Sequence, residues 1–186
     1  MVSMETVRDR SQGTRERILA AARKLFLERG LRGTSMEAVA RQAQVAKPTL
    51  YAHYPDKDAV YAALIGLMLT EKHAAFSAAL AGPGTVVERV TAALVAKYRV
   101  LAATLDNSPH AEELIHAHHR VEALFAQSEA EIGGILAGVL AEAGVGEPER
   151  LAHLLCDASF GLVRKRGAVP DADLALLVER LLAPEL

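Results

Sequence analysis

The chain has 186 residues, a formal net charge of −2 and one cysteine, Cys156. Hydrophobic residues make up 51% and charged residues 24%, a composition typical of globular proteins that argues against global disorder. The single cysteine excludes an intramolecular disulfide and any multi-cysteine metal site, and it is typical of a reducing compartment. No apolar run reaches the ~20 residues that span a bilayer, and no apolar signal segment opens the chain. We therefore expect a soluble cytoplasmic protein with no membrane partner.

The aliphatic composition predicts an all-α fold. Aromatic residues account for only 4% of the chain and tryptophan is absent, so the core is built mainly from Leu, Val, Ile and Ala. Leu and Ala are strong helix formers, and Ala is a weak strand former. Apolar residues recur at helical spacing, and no segment alternates as a strand does. We expect about nine helices.

The two ends of the chain differ in charge. Residues 1–58 contain 11 Lys and Arg against 7 Asp and Glu, a net charge of +4, and the remainder carries −6. A basic head on an acidic body indicates two functions, of which only the head suits a polyanion. Taken alone, the asymmetry is also compatible with chance fluctuation.

The first elements in chain order predict two helices. Residues 1–13 are polar and predict a flexible arm. A helix begins at Thr14, and Gly30 ends it in the left-handed conformation that follows many helix C-termini. Thr34 and Glu37 then predict a capping box at the start of a short second helix. In that box the Thr34 hydroxyl accepts from the Glu37 N–H, and the Glu37 carboxylate reaches back to the Thr34 N–H.

A third helix over residues 47–54 completes a compact pattern. Pro48 falls in its first turn, where the ring removes no intrahelical hydrogen bond. Leu50 and Tyr54 are predicted core residues. Two short helices joined by a tight turn and packed on a longer first helix form a helix-turn-helix unit. Beyond it, apolar spacing predicts helices near 57–81, 85–104, 109–142 and 148–165, and a final helix over the last residues.

Several residues of this head stand in a characteristic order. They are the Leu25-Phe26 pair, Gly30, and the block 47–54 (KPTLYAHY) followed by Lys57. In this order, residues 14–64 resemble the DNA-binding domain of the tetracycline-repressor (TetR) family. The resemblance implies a homodimeric transcriptional regulator, most often a repressor, released from a near-palindromic operator by a small, mainly hydrophobic effector. The implied domains are a flexible N-terminal arm over 1–13, a helix-turn-helix DNA-binding domain over 14–56, and an effector-binding and dimerisation domain over 57–186.

Two positions depart from that family's pattern. Gln44 stands in the turn where members usually have Gly, so it must adopt the turn geometry that Gly accepts freely. Ala46 stands where members have a Ser or Thr N-cap, which gives up roughly 0.5–2 kcal/mol of helix stabilisation. Neither departure removes a residue predicted to contact DNA.

The N-terminal residues of the third helix are predicted to contact base edges. Lys47 suits guanine O6 or N7, Pro48 offers an apolar surface to a thymine methyl, and Thr49 suits a phosphate or a base edge. For Tyr51 and His53 the resemblance implies phosphate contacts, whereas packing of Tyr51 and solvation of His53 are the alternatives. The full predicted DNA-contacting set is Thr34, Ser35, Gln44, Lys47, Pro48, Thr49, Tyr51, His53 and Lys57.

The C-terminal body is predicted to dimerise and to bind the effector. In the family resembled, the last two helices form a four-helix bundle with their two-fold mates, although some of their apolar residues alternatively close the protomer core. The predicted dimer interface is Leu151, Leu155, Ala158, Leu162, Leu174, Leu177, Val178 and Leu181. The predicted effector-binding residues, which are mostly apolar and are equally candidates for ordinary core, are Met68, Phe76, Tyr98, Leu101, His119, Phe125, Ser128 and Phe160.

A cluster of histidines has no clear assignment from the sequence. His110, His116, His118 and His119 lie near two glutamates at spacings compatible with shared metal ligation, but a solvated cluster, or one histidine as a polar group of the effector site, is the simpler interpretation. We expect no metal, no cofactor and no enzymatic activity. Two alternatives stay open: a ligand-blind DNA-binding or architectural protein whose body only dimerises, and, more remotely, an all-helical enzyme. The expected location is the bacterial cytoplasm, at the nucleoid when DNA is bound.

Overall fold

The computed structural model describes residues 4–105, 108–166 and 169–182, with side chains over 11–105, 108–114, 117, 119–163 and 169–182. Every regular element in this described part is helical, which confirms the predicted all-α fold. The elements are α1 (Met4–Arg29), α2 (Met36–Gln42), α3 (Lys47–His53), α4 (Lys57–Leu80), α5 (Val86–Leu105), α6 (Ala111–His116), a short 3-10 helix (Ala117–Val121), α7 (Glu122–Glu142), α8 (Pro148–Arg166) and α9 (Asp171–Leu182).

Packing divides the chain into two compact units. Unit 1 contains Met1–Leu67 together with Leu105–Glu122, and unit 2 contains Met68–Thr104 together with Ala123–Leu186. This division differs from the predicted boundary at residue 57, because the first part of α4 packs within unit 1 and because α6 and the 3-10 helix pack there as well. The predicted domains 14–56 and 57–186 stay predictions about function.

The first helix begins earlier than predicted. Residues 4–13, expected as part of a flexible arm, belong to α1, which extends over 26 residues to Arg29. The reason is composition, since Met, Glu and Arg are good helix formers and only Gly13 disfavours a helix in this stretch. Residues 1–3 lie outside the described part.

Helix α2 has its N-cap one residue later than the predicted capping box, so that prediction is wrong. The N-cap is Ser35, whose Oγ accepts from the Ala38 N–H at 3.2 Å. The Thr34 hydroxyl is buried and donates instead to the backbone carbonyl of Gly30 at 2.8 Å, with the Leu25 carbonyl at 3.2 Å. Thr34 therefore links the loop before α2 to the end of α1, and its hydroxyl hydrogen is used in these bonds.

Unit 2 has an aliphatic core, as the composition predicts. The core joins residues of α4, α5, α7, α8 and α9, with fully buried side chains at Phe76, Leu94, Leu136, Leu140 and Leu155. A smaller cluster forms around Val95, Tyr98 and Leu174. Burial of such side chains contributes about 1.5–3 kcal/mol each relative to exposure, so this core supplies much of the folding free energy of unit 2.

Three residues of the predicted dimer interface lie in the protomer's own core. Leu155, Leu174 and Val178 are fully buried. Among the other predicted residues, all half-buried, Leu151, Leu177 and Leu181 pack against the core of unit 2, and Leu162 packs against the smaller cluster. The prediction fails here because apolar spacing identifies the face of a helix that is buried, but not the partner that buries it. The apolar residues exposed on α8 and α9 are Leu154, Phe160 and Leu176.

The stretch Ala111–Glu142 is long and apolar enough to meet the composition requirement of a membrane span, a requirement that core helices also meet. It is divided among α6, the 3-10 helix and α7. Within it Glu113 accepts from the Arg32 N–H, and Glu129 pairs with two lysines of unit 2. The predicted lack of a membrane partner stays a prediction.

A buried ion cluster joins three helices of unit 2. Lys72 on α4 and Lys97 on α5 donate to the two carboxylate oxygens of Glu129 on α7, at 2.7 and 2.8 Å. Beside it, the His73 ring lies 2.9 Å from the Ser128 Oγ, through Nε2. Burial alone would raise the pKa of Glu129, but Lys97 and Lys72 outweigh it and hold that pKa below its usual 4.5. Glu129 is therefore ionised at neutral pH.

Replacing Glu129 by Gln leaves two buried ammonium groups without a carboxylate. We expect the free energy of unfolding at pH 7 to fall by about 2–4 kcal/mol, below the full cost of breaking a buried pair because solvent screens a partly exposed carboxylate. Because the folded-state pKa is lowered, this stabilisation is complete above pH 4.5 and is lost as the pH falls through the folded-state pKa.

Urea unfolding of the wild type and of Glu129→Gln at several pH values measures this difference. Glu131→Gln, which changes an exposed carboxylate on the same helix, is the control and costs at most about 1 kcal/mol. A Glu129→Gln deficit that stays constant down to pH 3 contradicts the assigned ion cluster.

Candidate nucleic-acid interface

The turn between α2 and α3 is a helix-ending motif centred on Gln44. The Val45 N–H donates to the Ala40 carbonyl at 3.0 Å, and the Gln44 N–H donates to the Arg41 carbonyl at 3.2 Å. This pair of bonds defines a Schellman motif, whose residue after the cap takes a left-handed conformation. Gln44 has a φ of 55°, so it adopts the geometry that its sequence position predicts. At this φ a residue that has a side chain is less favourable than glycine.

The third helix is short and is held by its buried face. It has seven residues, and Ala46 at its N-cap makes no side-chain capping bond. Leu50 and Tyr54 are buried, as predicted, and the Tyr54 hydroxyl accepts from the Arg15 Nε at 2.9 Å. Since a helix of this length is unstable in isolation, it is held by the burial of Leu50, by its packing on α2, and by the bond from Arg15 to Tyr54 at its C-cap.

The N-terminal face of α3 is open to solvent. Lys47, Pro48 and Thr49 are exposed, and the Tyr51 side chain is 44% exposed. We call these four residues the recognition face. His53 is half-buried, with its ring 6.4 Å from the ring of Tyr54. The structure thus brings together most of the residues that were predicted to contact DNA, and Gln44 lies exposed at the preceding turn.

Lys47 has an internal partner. Its Nζ lies 3.4 Å from the Glu37 Oε1, and both side chains are more than half exposed. The backbone N–H of Glu37 and the Lys47 ammonium lower the pKa of Glu37, so this carboxylate is ionised at neutral pH. Because exposed ion pairs contribute little free energy, Lys47 exchanges readily between Glu37 and an incoming acceptor.

Thr34 and Lys57 differ from the predicted phosphate contacts. Thr34 was predicted, with Ser35, to present the N-terminus of α2 to a phosphate; its side chain is 2% exposed and its hydroxyl is bonded internally, so only the backbone there is available for such a contact. Lys57 is half-buried, and its Nζ donates to the Thr34 carbonyl at 2.8 Å. This bond links the start of α4 to the loop before α2 and leaves two N–H groups of Lys57 for other acceptors. Ser35 is exposed at the N-cap of α2.

Sequence reasoning missed a set of contacts between the segment 108–114, which leads into and includes part of α6, and the N-terminal part of unit 1. The Arg32 N–H donates to the Glu113 Oε1 at 2.7 Å, and the Ser108 Oγ donates to the Leu27 carbonyl at 2.9 Å. The Tyr61 hydroxyl donates to the Leu114 carbonyl at 2.9 Å. These pairs are 53 to 81 residues apart in the chain, so no local pattern signals them.

Gly30 is the one residue whose type hints at this packing. Its φ is 74°, and a Cβ at this position would lie 2.0 Å from the Glu113 Oε2. The sequence explains Gly30 as a helix end, whereas the structure adds a close approach of the Glu113 carboxylate, which would have to shift to make room for a Cβ.

The predicted effector-binding residues fall into three groups. Met68, Phe76, Tyr98 and Ser128 are buried in unit 2, and Leu101 and Phe125 are half-buried there. Phe160 is 53% exposed on α8, and His119 is exposed in unit 1, so the predicted inward orientation is wrong for both. Helical spacing placed Phe160 wrongly because the inner face of α8 is made by Leu155, Cys156 and Ser159.

The histidine cluster does not form a metal site among the residues that the structure describes. The His110 Nδ1 lies 3.7 Å from the Glu113 Oε2. The side chains of His116 and His118 lie outside the described residues. We assign the cluster no function.

Comparison with known proteins finds a family model and curated relatives that match the N-terminal part of the chain. Residues 18–64 match the family model for bacterial regulatory proteins of the tetR family. The transcriptional regulator UidR of Escherichia coli K12 is 39% identical over 62 residues, which are 33% of this chain and 32% of UidR. The chain therefore spans about a third of the curated relatives that it matches.

Solved structures cover nearly the whole chain. A TetR/AcrR-family regulator of Thermobifida fusca is 26% identical, with a TM-score of 0.66 over 90% of this chain and 95% of that one. The structure of a SmeT–triclosan complex matches with a TM-score of 0.66 over 92% and 90% of the two chains, at 20% identity. The described part of the chain, with an N-terminal helix-turn-helix and a helical body, has the fold of these structures. Residues 18–64 of this chain are thus similar to the TetR family of bacterial regulatory proteins, and the chain as a whole shares the fold of a TetR/AcrR-family regulator.

Restoring a cap tests how weakly α3 is held at its N-terminus. Ala46→Ser supplies a hydroxyl to the first turn of α3, and we expect the free energy of unfolding to rise by about 0.5–2 kcal/mol. Ala52→Ser, at an exposed position inside the same helix, is the control and lowers stability slightly, because serine is a poorer helix former than alanine. Equal effects of the two substitutions in urea unfolding would contradict the uncapped N-terminus.

Proposed function

We propose that the protein is a ligand-responsive DNA-binding transcriptional regulator, and specifically a repressor that a small molecule releases from its operator. The observation that carries this proposal is the recognition face. Leu50 and Tyr54 hold α3 by one side, while Lys47, Pro48, Thr49 and Tyr51 lie exposed on the other. A recognition helix uses its N-terminal residues on base edges in the major groove, so these exposed residues stand where readout requires them.

The distribution of charge supports the same proposal. Residues 1–58 carry a net charge of +4 within a chain whose overall charge is −2. Phosphate attraction dominates the affinity of DNA-binding proteins, so the charge favours residues 1–58 as the part that contacts DNA. Within it, Lys47 and Thr49 are assigned to base edges, Tyr51 and His53 to phosphates, and Lys57 to a phosphate beside its bond to Thr34.

The operator is expected to be nearly palindromic, because the proposed regulator is a homodimer. Two copies of α3 would then enter successive major grooves about 34–36 Å apart. The proposed dimer face is the exposed apolar surface of α8 and α9, with Leu154, Phe160 and Leu176, flanked by the half-buried Ala158. This face replaces the predicted interface residues that lie in the core.

Unit 2 is the proposed effector-binding part. The buried Met68, Phe76, Tyr98 and Ser128, with the half-buried Leu101 and Phe125, remain the proposed contacts for a small, mainly hydrophobic effector. SmeT, which matches the chain in fold, was solved in complex with triclosan. Effector binding releases DNA only if the effector binds the two states of the regulator with different affinity. The proposed site of action is the bacterial cytoplasm, at the nucleoid.

The two alternative functions predict different experimental results. A ligand-blind regulator would show no thermal stabilisation by any small molecule, and an enzyme would turn over a molecule that binds unit 2. Selecting bound DNA from a random pool, and repeating the selection with metabolite mixtures, tests the proposal against both. Recovery of a near-palindromic sequence that is lost with one mixture supports it, and recovery of unrelated sequences overturns it.

Lys47→Ala tests the recognition face on the selected operator. We expect operator binding to weaken by about 1–3 kcal/mol and base preference to relax at one position of each half-site. Lys24→Ala is the control, since it removes the same charge from an exposed position on α1. Fluorescence anisotropy on the operator and on single-base variants measures both. Unchanged affinity of Lys47→Ala would refute the assignment of α3.

The corrected dimer face has a test of its own. Leu154→Arg puts a charge on the proposed face, and we expect it to shift the protein from dimer to monomer in analytical ultracentrifugation. Ile135→Arg makes the same change at a comparably exposed site on α7 and should leave the dimer intact. Leu155→Ala, in contrast, should destabilise the protomer itself by about 2–5 kcal/mol by opening a cavity. A monomer from Ile135→Arg together with a dimer from Leu154→Arg would place the interface elsewhere.

A further inference from the structure

Unit 2 contains a buried excess of positive charge. The ammonium groups of Lys72 and Lys97 share the single carboxylate of Glu129. Lys97 is fully buried and Lys72 is 4% exposed. Burial lowers the pKa of Lys72, and repulsion from Lys97 acts in the same direction against the attraction of Glu129. Buried charges are stable when they are fully paired, and this cluster has one counter-ion too few.

The other polar neighbours do not supply the missing charge. Burial raises the pKa of Tyr98 and of Cys156, so at neutral pH the phenol and the thiol are uncharged. The Tyr98 hydroxyl lies 3.0 Å from the Ser159 Oγ. The exposed Glu131 lies 3.4 Å from the Nδ1 of His73, at the edge of the cluster. With both lysines protonated, the three-residue cluster carries a formal charge of +1.

The hydrogen bonds of the cluster are incomplete as well. An ammonium group has three N–H donors. Among the described residues Lys72 has one acceptor atom, an oxygen of Glu129, and Lys97 has the other oxygen of Glu129 and the Tyr98 hydroxyl. The Nζ of Lys97 lies in addition 4.8 Å from the centre of the Tyr98 ring. Buried donors without acceptors are costly. Unused N–H donors and a surplus positive charge are together the features of an anion-binding site.

The residues around the cluster indicate the chemistry of the rest of such a ligand. Met68 and Phe76 precede and follow Lys72 by four residues, so all three share one face of α4. Leu101 follows Lys97 at the same interval, and Phe125 precedes Glu129 at the same interval. The Glu129 side chain is 39% exposed, which gives the cluster one side open to solvent. An anionic group at the cluster would thus be continued by apolar side chains.

We propose that the Lys72–Glu129–Lys97 cluster is the anion-binding end of the effector site, and that the effector is an organic carboxylate with an apolar body. The carboxylate is the second counter-ion of the cluster and accepts from the N–H groups that Glu129 leaves unused. The effector role rests on the proposed function above, whereas binding of the carboxylate does not.

Thermal unfolding of the full chain with matched probes tests this site. The probes are acetate, hexanoate and benzoate, each compared with its neutral amide at constant ionic strength set by chloride. We expect the melting temperature to rise with a carboxylate and not with the corresponding amide. In Lys72→Met the carboxylate should bind at least about tenfold more weakly, since one charged hydrogen-bond donor is lost. Lys24→Met, at an exposed lysine, should bind like the wild type.

Glu129→Gln is a second variant, for which the expected change in carboxylate affinity has the opposite sign. It removes the internal counter-ion, so carboxylates should bind more tightly than in the wild type, and acetate should recover part of the lost melting temperature. A purely structural ion cluster predicts neither effect. The proposal is overturned if no carboxylate stabilises the wild type or Glu129→Gln, if amides act equally, or if Lys72→Met binds as the wild type does.

Operator binding, measured separately with the same probes, distinguishes this inference from the proposed function. A carboxylate that stabilises the protein and weakens operator binding supports the whole proposal. Stabilisation with unchanged operator affinity overturns the effector role of the site. A protein that selects no DNA sequence at all overturns the proposed function, and the thermal data then decide the anion site alone.

Discussion

The proposed function depends on the packing that holds α3 by one side. A seven-residue helix does not persist on its own, and its N-cap position contributes no side-chain bond. Leu50 and Tyr54, buried against the N-terminal helices, replace this missing local stability with tertiary contacts. Because those two residues point inward, Lys47, Pro48 and Thr49 must lie outward at the N-terminus of the helix. The exposed face is thus a consequence of the buried one.

Unit 1 contains more than the helix-turn-helix pattern. Its loops are linked by internal bonds of Thr34 and Lys57, and Ser108 and Glu113, at and before the start of α6, add contacts from a distant part of the chain. These bonds satisfy polar groups that would otherwise lie unpaired at helix ends, which is the ordinary requirement for a buried backbone group. They also mean that unit 1, which contains the proposed DNA-binding head, extends beyond residues 14–56.

Unit 2 combines an aliphatic core with one polar exception. Most of its interior is the close-packed Leu, Val and Phe that the composition leads one to expect. The cluster of Lys72, Lys97 and Glu129 departs from that pattern, and a buried surplus of one positive charge has no evident role in stability. The proposed anion binding explains the energetic cost of this buried charge. It also assigns the polar cluster and the apolar residues around it to one ligand site.

The sequence by itself determined the all-helical fold, the helix-turn-helix head and the exposed positions at the start of α3. These follow from local signals: helical spacing, a proline in the first turn, and a turn residue that must accept a positive φ. Only the tertiary structure decided which apolar face of α8 and α9 is internal, that Thr34 is buried, that α6 packs in unit 1, and that two lysines share one glutamate. Spacing fixes which residues share a face of a helix, but the partner of that face is set by chain segments far apart in sequence, and no local pattern contains that information.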